Sequence, residues 1–236
     1  MRRYSIARID GEMTSAVSRR PANVRMTATP LAMVLLGVVG VGLAAGVVWT
    51  SLEMRRLAEE RDRQWAAAAL GSVPDFTLTE RSGRELGLDD LRGHIWVADF
   101  IFTHCAGPCP LMSATMAKLQ DAIAHRPDVR MVSISVDPER DTPEVMSRYA
   151  DRYGADPSRW LFLTGPMETI TRLAVEGFKV GSIEDPILHS TRFILVDEAG
   201  AIRAYRDSAE SDVVERLVDD IETLRKRRAH RAFMRP

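Results

Sequence analysis

Two cysteines, Cys105 and Cys109, are the residues of this 236-residue chain best suited to chemistry, and the chain has no others. One short-range pair is too little to staple a small domain, because closing so small a loop restricts the unfolded chain only slightly. The pair is therefore predicted to be chemical, with two incidental buried thiols as the alternative. The Cys-x-x-x-Cys spacing permits a disulfide or a metal chelate, and it differs from the Cys-x-x-Cys of common redox enzymes.

Two thiolates need further ligands to hold a metal. Soft sulfur ligands favour Cu(I), zinc or an iron–sulfur cluster, but a cluster usually needs four cysteines and a closed zinc site needs two more ligands. The chain offers five histidines. His125 at a helix end and His230 in a basic tail are predicted to be solvated, and His94 is predicted to lie at the surface. His104, beside the first cysteine, and His189 stay open as a third ligand.

The cysteines are predicted to lie between a strand and a helix. A β-branched and aromatic apolar run over residues 95–102 predicts a buried strand, and helical spacing follows over residues 110–124. Both sulfurs would then lie at the carboxyl end of a strand and near a helix N-terminus, where partial positive charge favours thiolate. His189 precedes another predicted strand, residues 191–196. If those two strands pair, the loop with His189 could face the cysteines; the alternative is a hydrogen-bonded structural histidine.

Strands alternate with helices along the rest of the chain, which predicts an α/β domain with a mixed central sheet flanked by helices. Asp141 or Thr142 could cap the helix that begins near Pro143. Further strands are predicted within residues 74–79, 129–136, 160–163 and 202–205, and further helices within residues 167–178 and 208–226. This pattern indicates one core after residue 72.

Composition narrows the class of partner. The net charge is −1 and aromatic residues make up 6% of the chain. A balanced charge and few aromatic residues argue against nucleic acid as the main partner.

A membrane segment is predicted near the N-terminus. No charged residue occurs over residues 31–49, which is about enough to cross a bilayer core. Six arginines precede this run and four follow it closely, a bias that places the N-terminus in the cytoplasm and the rest outside it, in the periplasm of a bacterium. The predicted organisation is a tail over 1–29, an anchor over 30–50, a stalk over 51–71, a soluble domain over 72–228 and a basic tail over 229–236.

Three segments together resemble the SCO/SenC family, which is associated with assembling the copper site of cytochrome c oxidase. The first resembles the family's F-T-x-C-x-x-x-C-P and runs from Phe102 through Pro110. The second, from Ser133 to Pro143, is close to the family's S-V-D-P-x-R-D-T-P. The third, His189-Ser190-Thr191, resembles the loop that supplies the family's histidine ligand. The segments occur in the family's order, and the resemblance spans about residues 72–207.

The resemblance implies a thioredoxin-like fold and a copper site made of Cys105, Cys109 and His189. Two sulfurs and one nitrogen suit three-coordinate Cu(I), and Cu(II) could gain an oxygen ligand. Asp137 matches an acidic family position near this site, although it could equally cap a turn before Pro138. The implied partners are a copper-accepting oxidase subunit and, through the N-terminal helix, the membrane.

One segment departs from the family's pattern. Residues 106–108 read Ala-Gly-Pro where the family more commonly has P-D-V, which removes an acidic side chain.

The leading hypothesis is copper delivery to an acceptor by ligand exchange. The alternatives are a thiol–disulfide oxidoreductase that uses Cys105 and Cys109 to prepare acceptor thiols, and a copper or redox sensor. A peroxidase is disfavoured because Phe102 and Ala106 occupy the places where peroxiredoxin-like sites carry threonine.

Overall fold

A computed structural model of the chain describes residues 30–180 and 190–234. The chain divides into two compact units between Glu53 and Met54. That division falls within the first helix, α1 (Pro30–Ala67). Gly37–Leu57 of this helix is long and apolar enough to cross a membrane, with a mean hydropathy of 1.5 and none of it buried within the protein. The predicted helical stalk continues this same helix.

The second unit is built on one mixed sheet of eight strands. Its order is β1-β8-β7-β4-β5-β6-β2-β3. Strands β4, β5 and β6 are parallel neighbours, whereas β7 runs antiparallel to β4 and β2 antiparallel to β6. The strands are β1 (Gly71–Ser72), β2 (Thr77–Glu80), β3 (Glu85–Gly87), β4 (Ile95–Ile101), β5 (Val129–Ser135), β6 (Trp160–Thr164), β7 (Arg192–Val196) and β8 (Ala201–Asp207).

Helices cover both faces of this sheet, so the central strands are buried on both sides. This explains why their sequences are continuous apolar runs instead of alternating ones. The helices are α2 (Leu88–Leu91), α3 (Cys109–Ala122), α4 (Pro143–Arg152), α5 (Met167–Arg172), which continues into a π-helical turn (Leu173–Gly177), and α6 (Val213–Met234). The predicted α/β, thioredoxin-like fold with a mixed central sheet and one N-terminal membrane-type helix is confirmed.

The two faces of β4 belong to different halves of the core. Trp96, Ala98 and Phe100 pack with α2, α5 and the π-helical turn. Val97 and Ile101 pack with α3, α4 and α6 on the opposite face. Because side chains alternate along a strand, Asp99, which lies between Val97 and Ile101, belongs to the α3 face.

Several short elements lie where no pattern marked them. The predicted strand over residues 74–79 is shifted to Thr77–Glu80, and it pairs with β3, which is three residues long and was not predicted. Strand β1 and helix α2 are also too short to show a period. Thr142 is the N-cap of α4 and accepts a hydrogen bond from the Val145 amide, so the alternative cap, Asp141, is free for another role.

Candidate metal centre

The cysteine pair lies where β4 ends and α3 begins. Cys105 is half-buried in the connecting loop, and its amide donates to the Phe102 carbonyl at 3.2 Å. Cys109 is buried, and it is the first residue of α3, one position earlier than predicted. Both are free thiols, and each lies close enough to the other to shift its pKa. The predicted placement of two sulfurs at a strand-to-helix turn is therefore found in the structure.

The two thiols have opposite pKa shifts. Burial raises the pKa of Cys105, but hydrogen bonds from the Cys109 side chain and from the amides of Cys109 and Gly107 outweigh it and lower the pKa overall. The Gly107 amide lies 3.4 Å from the Cys105 sulfur. Burial and the bond to Cys105 raise the pKa of Cys109 to about 12. Cys105 is thus the thiol that ionises first. The ionised form, the thiolate, is the form that acts as a nucleophile or a metal ligand.

A buried carboxyl group lies on the same face of the sheet as Cys109. Asp99, on β4 between Val97 and Ile101, is completely buried. Its Oδ1 accepts a 2.6 Å hydrogen bond from the Ser133 hydroxyl, while its Oδ2 has no partner among the described residues. Burial raises the pKa of Asp99 to about 7. When ionised, this carboxylate further raises the pKa of Cys109.

Asp141 anchors the loop that carries Cys105. This carboxylate is fully buried and accepts hydrogen bonds from the Thr103 amide at 3.1 Å, the Thr103 hydroxyl at 2.5 Å and the Ser135 hydroxyl at 2.6 Å. It therefore connects the end of β5 and the start of α4 to the cysteine loop. The sequence alone predicted Asp141 only as a possible helix cap. The only signal for this role was its place in the second family-like motif.

Asp137 lies at the same edge of the sheet, after β5. Its amide donates to the Ser135 hydroxyl, and its carbonyl accepts from the amides of Arg140 and Asp141. Its carboxylate accepts from the Arg140 guanidinium at 3.1 Å. These contacts match the turn-forming reading of Asp137, and its role toward a metal stays a prediction.

Three of the five histidines lie at the other end of the domain. His94 precedes β4, a strand of seven residues or about 23 Å, and His125 follows α3, a helix of 14 residues or about 21 Å. His230 lies on α6 near Arg228, whose guanidinium donates to the Gly93 carbonyl at the start of β4. His125 and His230 are exposed as predicted, but His94 is half-buried and its Nδ1 has no partner among the described residues.

The remaining two histidines are His104 and His189. His104 lies in the cysteine loop with 61% of its side chain exposed. His189 lies outside the described residues, whereas Ser190 and β7 after it are described. The predicted pairing of β7 with β4 is confirmed, and because the strands are antiparallel, β7 begins beside the end of β4. Within residues 30–180 and 190–234, no three His, Cys, Asp or Glu residues form a metal-binding group.

The donor set at this edge suits a soft metal. Two free thiols lie at one strand-to-helix turn, one of them with a lowered pKa, and soft thiolate ligands select Cu(I) or zinc over hard cations. Met112 and Met116 follow on α3 but are completely buried among apolar side chains. The thioethers are therefore part of the core and not of the site.

Sequence comparison matches the chain to one family. The sequence model of the SCO1/SenC family matches residues 66–226. The SCO1 protein homolog of Bacillus subtilis is 34% identical over 157 residues, which cover 64% of this chain and 81% of that protein. Protein SenC of Rhodobacter capsulatus is 31% identical over 201 residues, covering 81% and 89% of the two chains.

Solved structures agree with this match. BsSco, a member of the Sco family of cytochrome c oxidase assembly proteins in which a disulfide switch was identified, is 34% identical, with a TM-score of 0.59 over 66% of this chain and 95% of its own. Copper-bound ScoI from Arabidopsis thaliana is 25% identical, with a TM-score of 0.55 over 66% and 99%. With the family-like motifs, the paired thiols and the mixed sheet in agreement, this chain belongs to the SCO1/SenC family.

Proposed function

We propose that this chain is a membrane-anchored copper chaperone that delivers copper to a respiratory oxidase, with Cys105, Cys109 and His189 as its ligands. The observation that carries the proposal is the pair of free thiols at the turn from β4 to α3, beside the start of β7. Two residues, Ser190 and Thr191, separate His189 from β7, so its chain neighbours belong to that same edge of the sheet. Copper-bound relatives such as ScoI support the choice of copper over zinc.

A Cu(I) titration of the full-length protein in detergent tests the ligand set. We expect one copper per reduced chain, no tight binding after Cys105→Ser or Cys109→Ser, and an affinity lower by at least about 10-fold after His189→Ala, since loss of even an outer-shell group costs that much. His125→Ala is the matched control and should bind like the wild type, because His125 is exposed at the far end of α3. Wild-type affinity after His189→Ala would rule out the three-ligand site.

The unequal thiols favour thiol–disulfide exchange as a second activity. A thiol with a lowered pKa, Cys105, can attack an acceptor disulfide, and Cys109 can then resolve the mixed disulfide. Such an activity would reduce the acceptor's cysteines before it is loaded with copper. It predicts that Cys109→Ser traps a mixed disulfide with a model disulfide substrate, whereas Cys105→Ser does not, and that His189→Ala leaves the exchange rate unchanged.

The proposed location follows from the charges around α1. We propose a tail over 1–29 in the cytoplasm, an anchor over 30–50, a stalk over 51–71, and a copper-binding domain over 72–228 with a basic tail over 229–236 outside the cytoplasm. The arginine excess before the apolar run supports this orientation. Protease added to intact spheroplasts should digest the domain. Digestion only after lysis would reverse the orientation.

A further inference from the structure

A chain of hydrogen bonds connects the protein interior to the ring of His104. The Thr103 hydroxyl lies 2.5 Å from Asp141 Oδ1 and donates to it. His104 Nδ1 lies 3.1 Å from the same hydroxyl oxygen. A hydroxyl has one proton to donate, and here it forms a hydrogen bond to the carboxylate. The hydroxyl can therefore only accept from His104, so Nδ1 carries the ring proton and Nε2 keeps a free lone pair.

Asp141 imposes this direction because it is surrounded by donors. Its Oδ2 accepts from the Thr103 amide and from the Ser135 hydroxyl, and its Oδ1 accepts from the Thr103 hydroxyl. The residue is fully buried, so solvent does not compete for these bonds. A carboxylate that accepts at both oxygens leaves the Thr103 hydroxyl no other orientation.

The free nitrogen lies on the accessible side of the site. His104 directly precedes Cys105, 61% of its side chain is exposed, and no described residue hydrogen-bonds to its Nε2. Metal-binding imidazoles usually donate their second N–H to a fixed acceptor, which sets the tautomer and orients the ring. The Asp141–Thr103–His104 chain supplies such an acceptor although the ring belongs to an exposed loop.

We propose that His104 is the entry ligand for copper, and that Asp141 is a positioning residue which acts on it through Thr103. This inference rests on the proposed function. In the first step His104 Nε2 replaces one ligand of the copper donor. Cys105 and Cys109 then displace Nε2 and the remaining ligands of the donor, which leave with the donor, and each cysteine forms a copper–sulfur bond as its thiol proton passes to water. The oxidation state of the copper does not change.

Nitrogen-15 NMR of the histidine-labelled, copper-free full-length protein in detergent tests the tautomer directly. We expect His104 to show a protonated Nδ1 and an unprotonated Nε2 in the wild type. Asp141→Asn should reverse this pattern. The new amide oxygen can keep the two bonds at Oδ2, but the amide N–H₂ then donates to Thr103, whose hydroxyl proton turns to His104 Nδ1. The ring proton moves to Nε2. A purely structural role for Asp141 would leave the tautomer unchanged.

Stopped-flow transfer of Cu(I) from its bicinchoninate complex tests the entry role at constant pH. His104→Ala, Thr103→Val and Asp141→Asn should each load about 10-fold more slowly than the wild type, because outer-shell changes of this kind have effects of that order. The final copper affinity should stay within a few-fold of wild type, since Nε2 is displaced at the end. Thr103→Ser keeps the hydroxyl and should restore the wild-type rate and tautomer.

The control is His125→Ala, an exposed histidine far from the loop, which should load at the wild-type rate. The inference is overturned if His104→Ala loads as fast as wild type, or if the wild-type ring carries its proton on Nε2. If instead Cys105→Ser and Cys109→Ser keep wild-type copper affinity, the proposed function itself fails. The two failures are therefore distinguishable.

Discussion

Two fully buried aspartates near the cysteines show how differently one fold can treat the same side chain. Asp141, above the sheet edge, accepts three hydrogen bonds from Thr103 and Ser135. Asp99, inside the sheet, accepts one from the Ser133 hydroxyl and has an oxygen without a partner among the described residues. Asp141 therefore has donors at both of its oxygens, whereas burial raises the pKa of Asp99 to about 7.

Burial alone does not decide what a carboxyl group does. Asp141 is a fixed acceptor that holds the loop of Cys105 in place. Asp99 is a titratable group under Cys109, and its ionisation disfavours that thiolate. The number of donors around each carboxylate makes the difference, because unpaired buried charge is costly and paired buried charge is not.

The largest expected effect concerns the stability of the Asp99 region against pH. Because the folded-state pKa of Asp99 is raised from an ordinary 3.8 to about 7, its contribution to stability is complete below pH 4 and is lost as the pH rises to 7. The loss should be on the order of 4 kcal/mol. Urea unfolding followed by fluorescence of the buried Trp96 and Trp160 measures it. Asp99→Asn should remove this slope, and an unchanged slope in that variant would contradict the assignment.

Removal of the Asp141 carboxylate should cost about 3 kcal/mol in the free energy of unfolding, because Asp141→Ala leaves the buried Ser135 hydroxyl and the Thr103 amide without their acceptor. The same urea unfolding measures the loss at pH 7. Glu144→Ala is the control, because Glu144 lies three residues after Asp141, in the first turn of α4, but is exposed to solvent. A cost under about 1 kcal/mol for Asp141→Ala would show that the loop does not depend on this anchor.

The cysteines should differ in reactivity according to the region each occupies. With the pKa of Cys109 at about 12 and that of Cys105 lowered, iodoacetamide at pH 7.5 should modify Cys105 at least about 30-fold faster, after allowing for the greater intrinsic nucleophilicity of the more basic thiolate. Peptide mapping of the reduced protein over time gives both rates. Equal rates would mean that the two thiols share one environment.

The smallest effects come from a matched pair of serines on β5. Each serine donates once and accepts once, Ser133 accepting from the Trp160 indole at 2.9 Å and Ser135 from the Asp137 amide at 3.1 Å. Ser133 is the one side-chain donor to Asp99 among the described residues, whereas Ser135 is one of three donors to Asp141. Ser133→Ala should therefore cost about 2 kcal/mol and Ser135→Ala about 1 kcal/mol at pH 8, where Asp99 is ionised. The difference between the two costs should narrow at pH 5, where Asp99 is neutral. A larger cost for Ser135→Ala at pH 8 would reverse the comparison.

Local signals predicted the fold well. The apolar runs that became β4, β5, β6 and β7 are visible because strands buried on both faces need continuous apolar sequence. Helix α3 was visible from its spacing, and its start near Cys109 from the following proline. The three-residue β3 was missed because it is shorter than any period, so only its pairing with β2 defines it.

By itself, then, the sequence determined that two thiols follow a buried strand and open a helix, because that information lies in adjacent residues. The tertiary structure alone decided that Asp141 anchors the cysteine loop and that Asp99 is buried with a raised pKa. Thr103 and Asp141 are 38 residues apart, and Asp99 and Ser133 are 34 residues apart, so their bonds exist only once parallel strands align. The pKa of a buried group depends on all the donors that surround it, and those donors are brought together by folding and not by spacing along the chain.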